Sequence, residues 1–103
     1  MSDRPIFLLT VNLGLRIIGI LPAGTSGVAY SAFLTGYGGI EPYSWFLSDD
    51  SPALPTGLSL STDSSYHGVI SGTPTETGFF YPIVTIQDAT GRAVSRTLTL
   101  VVQ

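Results

Sequence analysis

Twelve glycines and seven prolines are spread over a chain of 103 residues, and their placement constrains the fold more than any other feature. Proline lacks the amide proton that an interior helical turn needs, and glycine costs about 1 kcal/mol relative to alanine inside a helix. These breakers leave no room for a long amphipathic helix. Between them lie short runs at 6–12, 16–20, 28–35, 43–48, 58–62, 69–71, 79–88 and 93–102. The runs are rich in β-branched and aromatic residues, as strands are. The separators LPAGTSG, GYGGIEP, DDSPALPTG, TPTETG and DATG are built from turn residues. Many short strands at this spacing predict an all-β chain, an antiparallel sandwich or barrel.

Alternation then assigns faces, because successive side chains on a strand point to opposite sides. Val28, Tyr30, Ala32 and Leu34 form one apolar row, with Ala29, Ser31, Phe33 and Thr35 opposite. Tyr43, Trp45 and Leu47 point inward, as do Phe80, Val84, Ile86, Leu98, Leu100 and Val102. Trp45 is expected to anchor the core, with Tyr30, Leu34, Ile70, Val84 and Leu100 around it. Pro82 falls in an inward row without a donor, so the strand N–H is expected to be unpaired there or the strand bulged.

The stretch GVISGTPTETG, at 68–78, contains little that is reactive. Ile70 points inward from a short strand, flanked by Val69 and Ser71. Gly68 and Gly72 let neighbouring backbone come close. Pro74 ends the pairing, and 75–78 carry the chain to the strand that starts at 79. The stretch reads as a corner between two sheets rather than a ligand loop.

At these residues the chain resembles the bacterial putative-Ig repeats, relatives of the dystroglycan-type cadherin-like domains. The motifs LPAGTSGVAYSAFLTGYGGIEPYSW, LPTGLSLS, GVISGTPTETG and TIQDATGRAVSRTLTLVV occur in that family's order and cover about 20–103. The resemblance implies an immunoglobulin-like two-sheet antiparallel β-sandwich, used as a spacer, display or adhesion module on bacterial surfaces and phage virions. It implies no catalytic residues. This chain departs from the family in carrying Phe33, Phe46, Phe79, Tyr81 and Ile83 at outward positions. Residues 1–15 precede the family's usual start and read as an extra strand or arm ahead of a sandwich at 16–103. IFLLTV at 6–11 looks like TLTLVV at 97–102.

Composition excludes several function classes. Charged residues make up 11% of the chain, the net charge is −3 and the pI is about 4.6. Arg4, Arg16, Arg92 and Arg96 are the only basic residues besides one histidine, and no lysine is present. Nucleic-acid binding needs a clustered basic face, which four scattered arginines do not make. The absence of cysteine removes disulfides, thiol catalysis and Cys-ligated metal. Asp3 stands against Arg4 ahead of the apolar N-terminal run, and Asn12 and Arg16 interrupt the run. That run therefore falls short of the roughly 20 apolar residues of a membrane span and does not read as a signal segment.

Chemical candidates are few. His67 shares one polar loop with Asp63, Ser64 and Ser65. A Ser-His-Asp triad needs its members held on separate rigid elements beside an oxyanion hole. Asp49 and Asp50 diverge on extended chain and make no acid–base pair. Calcium, which the cadherin likeness raises, needs about six to eight oxygen ligands, and no DxD cluster supplies them. Asp88 reads instead as the opening residue of the hairpin turn at 88–91. GYGG at 36–39 is followed by neither a helix pattern nor a lysine, as a phosphate loop requires. Tyr43 and Trp45 have the inward phase of core residues rather than that of a sugar-stacking platform. No catalytic, cofactor-binding or metal residue is assigned, and no cofactor is expected.

One candidate site remains. With 43–48, 79–88 and 93–102 in one sheet, Phe46, Phe79, Tyr81, Ile83 and Val101 share its outer face, while Phe33 lies on the other sheet. Large exposed aromatics in one patch mark an interaction surface. The expected function is therefore a non-enzymatic structural or binding module. A phage virion structural or decoration protein comes first, because the chain opens on a methionine without an export signal. A repeat of a bacterial cell-surface adhesin is the alternative, and a carbohydrate-binding module attached to an enzyme comes third. The expected partners are other protein subunits of a larger assembly, with cell-surface glycans as a second class. The expected location is a virion surface or the extracellular or cell surface.

Overall fold

The computed structural model describes residues 14–103, so the strand expected at 6–12 lies outside the described residues. Nine strands and no helix occur among them: β1 (Arg16–Ile18), β2 (Tyr30–Tyr37), β3 (Ser44–Leu47), β4 (Leu58–Thr62), β5 (Gly68–Gly72), β6 (Gly78–Phe80), β7 (Ile83–Gln87), β8 (Ala93–Thr97) and β9 (Leu100–Val102). One sheet has the order β1-β2-β5-β4 and the other β3-β7-β8, with β6 and β9 forming a two-stranded ladder. Every strand pairing is antiparallel, and a parallel bridge joins Gly24 to Val102. Four strands against three in this order is the constant-type immunoglobulin arrangement.

The runs expected as single strands at 79–88 and 93–102 are each split in two. Ile83 pairs with Thr97 and Phe80 with Leu100, so the register passes unchanged through the gap. Pro82 occupies the gap, buried, and its carbonyl accepts the Leu98 N–H at 2.9 Å. Having no N–H to return, proline interrupts the ladder where the sequence puts it.

The inward rows meet between the sheets. Leu34, Ile70, Val84, Ile86 and Leu100 are fully buried. The core divides, however. Trp45 packs with Leu15, Ile17, Leu34, Tyr43, Val84, Ile86 and Leu98. Tyr30, Ile70 and Leu100, expected around Trp45, belong to a second cluster with Ala32 and Val102. Leu21 and Leu60 pack against both clusters. Sequence phase tells which side a residue faces but not how far along the sandwich it sits, so it merged the two groups. Val28 leaves the expected inward row altogether. It precedes β2 in a turn, where its N–H donates to the Thr25 carbonyl, and it is exposed.

Trp45 also ties the sheets together through polar contacts. Its indole Nε1–H donates to the Tyr66 carbonyl at 2.8 Å, and its backbone N–H donates to Thr62 Oγ1 at 3.0 Å. A Cβ at Gly68 would stand 2.6 Å from the indole. Gly68 therefore makes room for a ring, not for backbone as expected. Gly72 does admit close backbone: a Cβ there would lie 1.9 Å from the Gly57 carbonyl oxygen, and its φ is +133°. The corner at 68–78 forms as read. Pro74 is buried, and the Glu76 carboxylate accepts the N–H and the hydroxyl of Thr56, each at 2.7 Å. The chain then enters β6 in the other layer.

Candidate interaction face

The outer face of the β3-β7-β8 sheet is set by register. Phe46 stands opposite Thr85, and Thr85 opposite Ser95. The same parity runs from Thr85 through Ile83 and Tyr81 to Phe79, and Val101 pairs with Phe79. At about 3.3 Å per residue this row extends about 20 Å. Phe46 is 42% exposed, Tyr81 49% and Phe79 68%. Ile83 and Val101 are half-buried. In the Phe79–Val101 cross-strand pair the shorter side chain is the more covered one. Phe33, on β2, lies on the other sheet and is exposed.

Between Phe46 and the β8 edge lies a hydroxyl cluster that sequence reasoning missed. Thr85 Oγ1 is 2.8 Å from Ser95 Oγ, and Ser48 Oγ hydrogen-bonds to Thr85 Oγ1 and lies 3.3 Å from Ser95 Oγ. Thr85 is buried although its phase is outward. Its hydroxyl satisfies itself within the sheet, which a buried polar group must do. Threonine at an outward position beside apolar neighbours was the available signal. Its serine partners come from two other segments, so only the fold reveals the cluster.

The remaining candidates are turn chemistry. Asp63 and His67 do meet, with Asp63 Oδ2 at 3.3 Å from His67 Nδ1, while Oδ1 accepts the N–H groups of Ser65 and His67 at 2.9 and 2.8 Å. The His67 N–H, more than any other contact, holds the Asp63 carboxyl below its ordinary range. This arrangement closes the β4–β5 hairpin, with Phe33 edge-on to the His67 ring at 6.2 Å. Asp88 opens the β7–β8 turn as expected, and Oδ1 accepts from the Thr90 N–H and hydroxyl and from the Arg92 N–H. Its Oδ2 accepts the Ile40 N–H at 3.2 Å, a link to the 38–42 segment that the sequence does not announce. The Thr90 hydroxyl leads in lowering the Asp88 pKa. Tyr43, whose hydroxyl donates to the Gly38 carbonyl, has its pKa raised, first by burial and then by the charges of Glu41 and Asp88.

Among the described residues no three of His, Asp and Glu gather as a metal-binding group. No helix among them is long and apolar enough to cross a membrane.

A constant-type sandwich with a buried tryptophan on its third strand and an aromatic outer face defines an immunoglobulin-like module. The profile of the Putative Ig domain family matches residues 19–103, and the chain belongs to that family. No curated protein matches it. Among solved structures it is similar to the endo-fucoidan hydrolase MfFcnA4 of glycoside hydrolase family 107. The identity is 27% and the TM-score 0.60, over 82% of this chain and 12% of that one. The titin M3 domain is similar at 17% identity and TM-score 0.53, over 87% of this chain and 99% of that one. The BIgI domain of the beta protein from S. agalactiae, solved bound to CEACAM1, is similar at 15% identity and TM-score 0.51, over 87% and 95%. The last two likenesses bear on the fold alone. The chain spans only 12–17% of the length of the glycosidases it matches.

Proposed function

We propose that this chain is a non-catalytic docking module that joins a larger protein assembly through the outer face of the β3-β7-β8 sheet. The observation carrying this reading is the row Phe46, Tyr81 and Phe79, three exposed aromatics on one face. A fully covered ring buries about 150–250 Å². With 42–68% of each still exposed, the three together offer roughly 300 Å², the size of the largest patches on monomers, which are often functional. The flanking Ile83 and Val101 extend the apolar surface, and the hydroxyls of Ser48, Thr85 and Ser95 are already paired with one another. A virion surface is the setting we favour and a bacterial cell-surface adhesin the alternative. Both use such modules outside the cytoplasm.

The likeness above 25% identity to a part of the fucoidan hydrolases supports a second reading, an accessory domain beside a carbohydrate-cleaving domain. The two readings separate by what the face touches. A photo-crosslinking amino acid at position 46 or 81, introduced into the chain in its native assembly, should label a neighbouring protein, while one at Ser61 on the opposite sheet should not. Equal labelling from all three positions, or none, would sink the docking reading. Glycan binding lost on Phe46→Thr would favour the accessory-domain reading.

A further inference from the structure

We infer that the groove between β3 and β4 receives residues 6–11 of a second copy of this chain, added as a strand on the free edge of β3. The two strands end their respective sheets. In an antiparallel ladder the backbone groups of alternate residues point toward and away from the partner strand. Ser48 N–H donates to the Ile83 carbonyl, so by alternation Ser44 and Phe46 turn their backbone to β7, and Trp45 and Leu47 turn theirs outward. The outward Trp45 N–H is taken by Thr62 Oγ1. The Leu47 N–H has no partner among the described residues. Beside it lies a groove of about 500 Å³, with Leu47, Leu54, Pro55, Leu58 and Leu60 in its lining. Variable-type immunoglobulin domains carry further strands at this edge. Here residues 48–57 connect β3 to β4 without forming one.

An occupant must be extended, apolar and uncharged. The segment IFLLTV at 6–11 meets all three requirements, and with Phe7, Leu9 and Val11 in phase it would turn a fully apolar row into the groove. The chain's own copy cannot supply it. From Val11 to Gly14 there is about 10 Å of extended chain, and Gly14 leads into β1 at the far edge of its sheet. β4 lies three strand spacings away, about 14 Å. β1 begins opposite Tyr37, whereas the groove floor at Leu58 is level with Tyr30 through Gly72. That adds about 23 Å along the strands. Donor and groove therefore belong to different copies. Such a contact closes as a reciprocal two-fold exchange, closes into a ring or continues as a filament. The groove adjoins the aromatic outer face at Phe46, which lines both, but the inference rests on the edge of β3 and not on that face.

The chain has no cysteine, so introduced thiols report the contact cleanly. Full-length Leu9→Cys mixed with Ala53→Cys should form a mixed disulfide dimer on oxidation, and Leu9→Cys mixed with Ser31→Cys should not. In sedimentation the unmodified chain should associate. Leu9→Asp should weaken that association at least about a hundredfold, since it buries an unpaired carboxylate, with an unchanged melting curve. A peptide of residues 5–12 should compete. Equal cross-linking at positions 53 and 31, a chain that stays monomeric at all concentrations, or association indifferent to Leu9→Asp would each overturn the inference.

Discussion

The two outer faces of this sandwich are built on the same scaffold and differ in what they present. On the β1-β2-β5-β4 sheet, Ser31, Ser71 and Ser59 form one cross-strand row and Phe33, Val69 and Ser61 the next. Its central strands carry two exposed rings, both on β2 and four residues apart: Phe33, which has the His67 ring for a neighbour, and Tyr37 at the strand's end. On the β3-β7-β8 side three exposed rings follow one another along the sheet. Exposed aromatics separated by polar residues, as Phe33 and Tyr37 are by Thr35, are ordinary, whereas a row continued by apolar neighbours such as Ile83 and Val101 marks a binding surface. The difference teaches that position, not aromatic content, makes one face the candidate site.

The strongest way to break the comparison is to remove what both faces stand on. Trp45→Ala should cost about 3–5 kcal/mol, out of the 5–15 kcal/mol typical of a domain. The indole, carried by β3, packs in one cluster with Ile17 and Leu34 of the β1-β2-β5-β4 sheet and donates to that sheet's β4–β5 hairpin. Both faces should therefore lose definition together, as a large fall in melting temperature would report.

Next, Phe46→Thr with Tyr81→Thr should cost about 2 kcal/mol or more in binding to the native partner, the size of a hot-spot loss, and leave the isolated domain folded. Titration of partner binding beside a thermal melt separates the two effects. Unchanged affinity would make the faces equivalent.

Acid should act on both sheets through their hairpins. The carboxyls of Asp63 and Asp88 are held below their ordinary range in the folded chain. Their contribution is therefore present above the usual carboxylate pKa near about 4 and is lost as pH falls through the lower folded values. Melting temperature should drop as the solution is taken from about pH 6 to about pH 3. Asp88→Asn should reduce that drop more than Asp63→Asn, because Asp88 also holds the Ile40 N–H.

The smallest effect is expected at Phe33→Thr, within about 0.5 kcal/mol for an exposed site and without change in partner binding. A binding loss there equal to that of the Phe46 and Tyr81 pair would erase the distinction between the faces.

Much of the sandwich was legible because its signals are local. Ile70 between two half-buried neighbours, Pro74 ending a strand and Asp88 opening a turn each follow from one residue's own chemistry and phase. The unpaired position at Pro82 was legible for the same reason, although the split of 79–88 and 93–102 into separate strands was not. Val28 was misread because a turn hydrogen bond to Thr25, not alternation, governs the backbone there. The expected shell around Trp45 mixed two clusters because phase carries no axial coordinate. In the candidate face, the outward phase of Phe46, Phe79 and Tyr81 could be read from alternation. The Ser48–Thr85–Ser95 cluster could not, since its members meet only across three strands.

Glycine and proline spacing, period-2 alternation and the absence of cysteine and lysine thus determined an all-β sandwich with a mostly uncharged surface and a buried tryptophan. These are short-range matters of backbone freedom and solvation, which a chain carries wherever it folds. Tertiary structure alone decided that Gly68 faces an indole, that Asp88 reaches Ile40, and that β3 and β4 end their sheets beside an apolar groove. Each of those depends on which strands become neighbours. Strand pairing is selected by the packing of the whole core, so no local stretch encodes it.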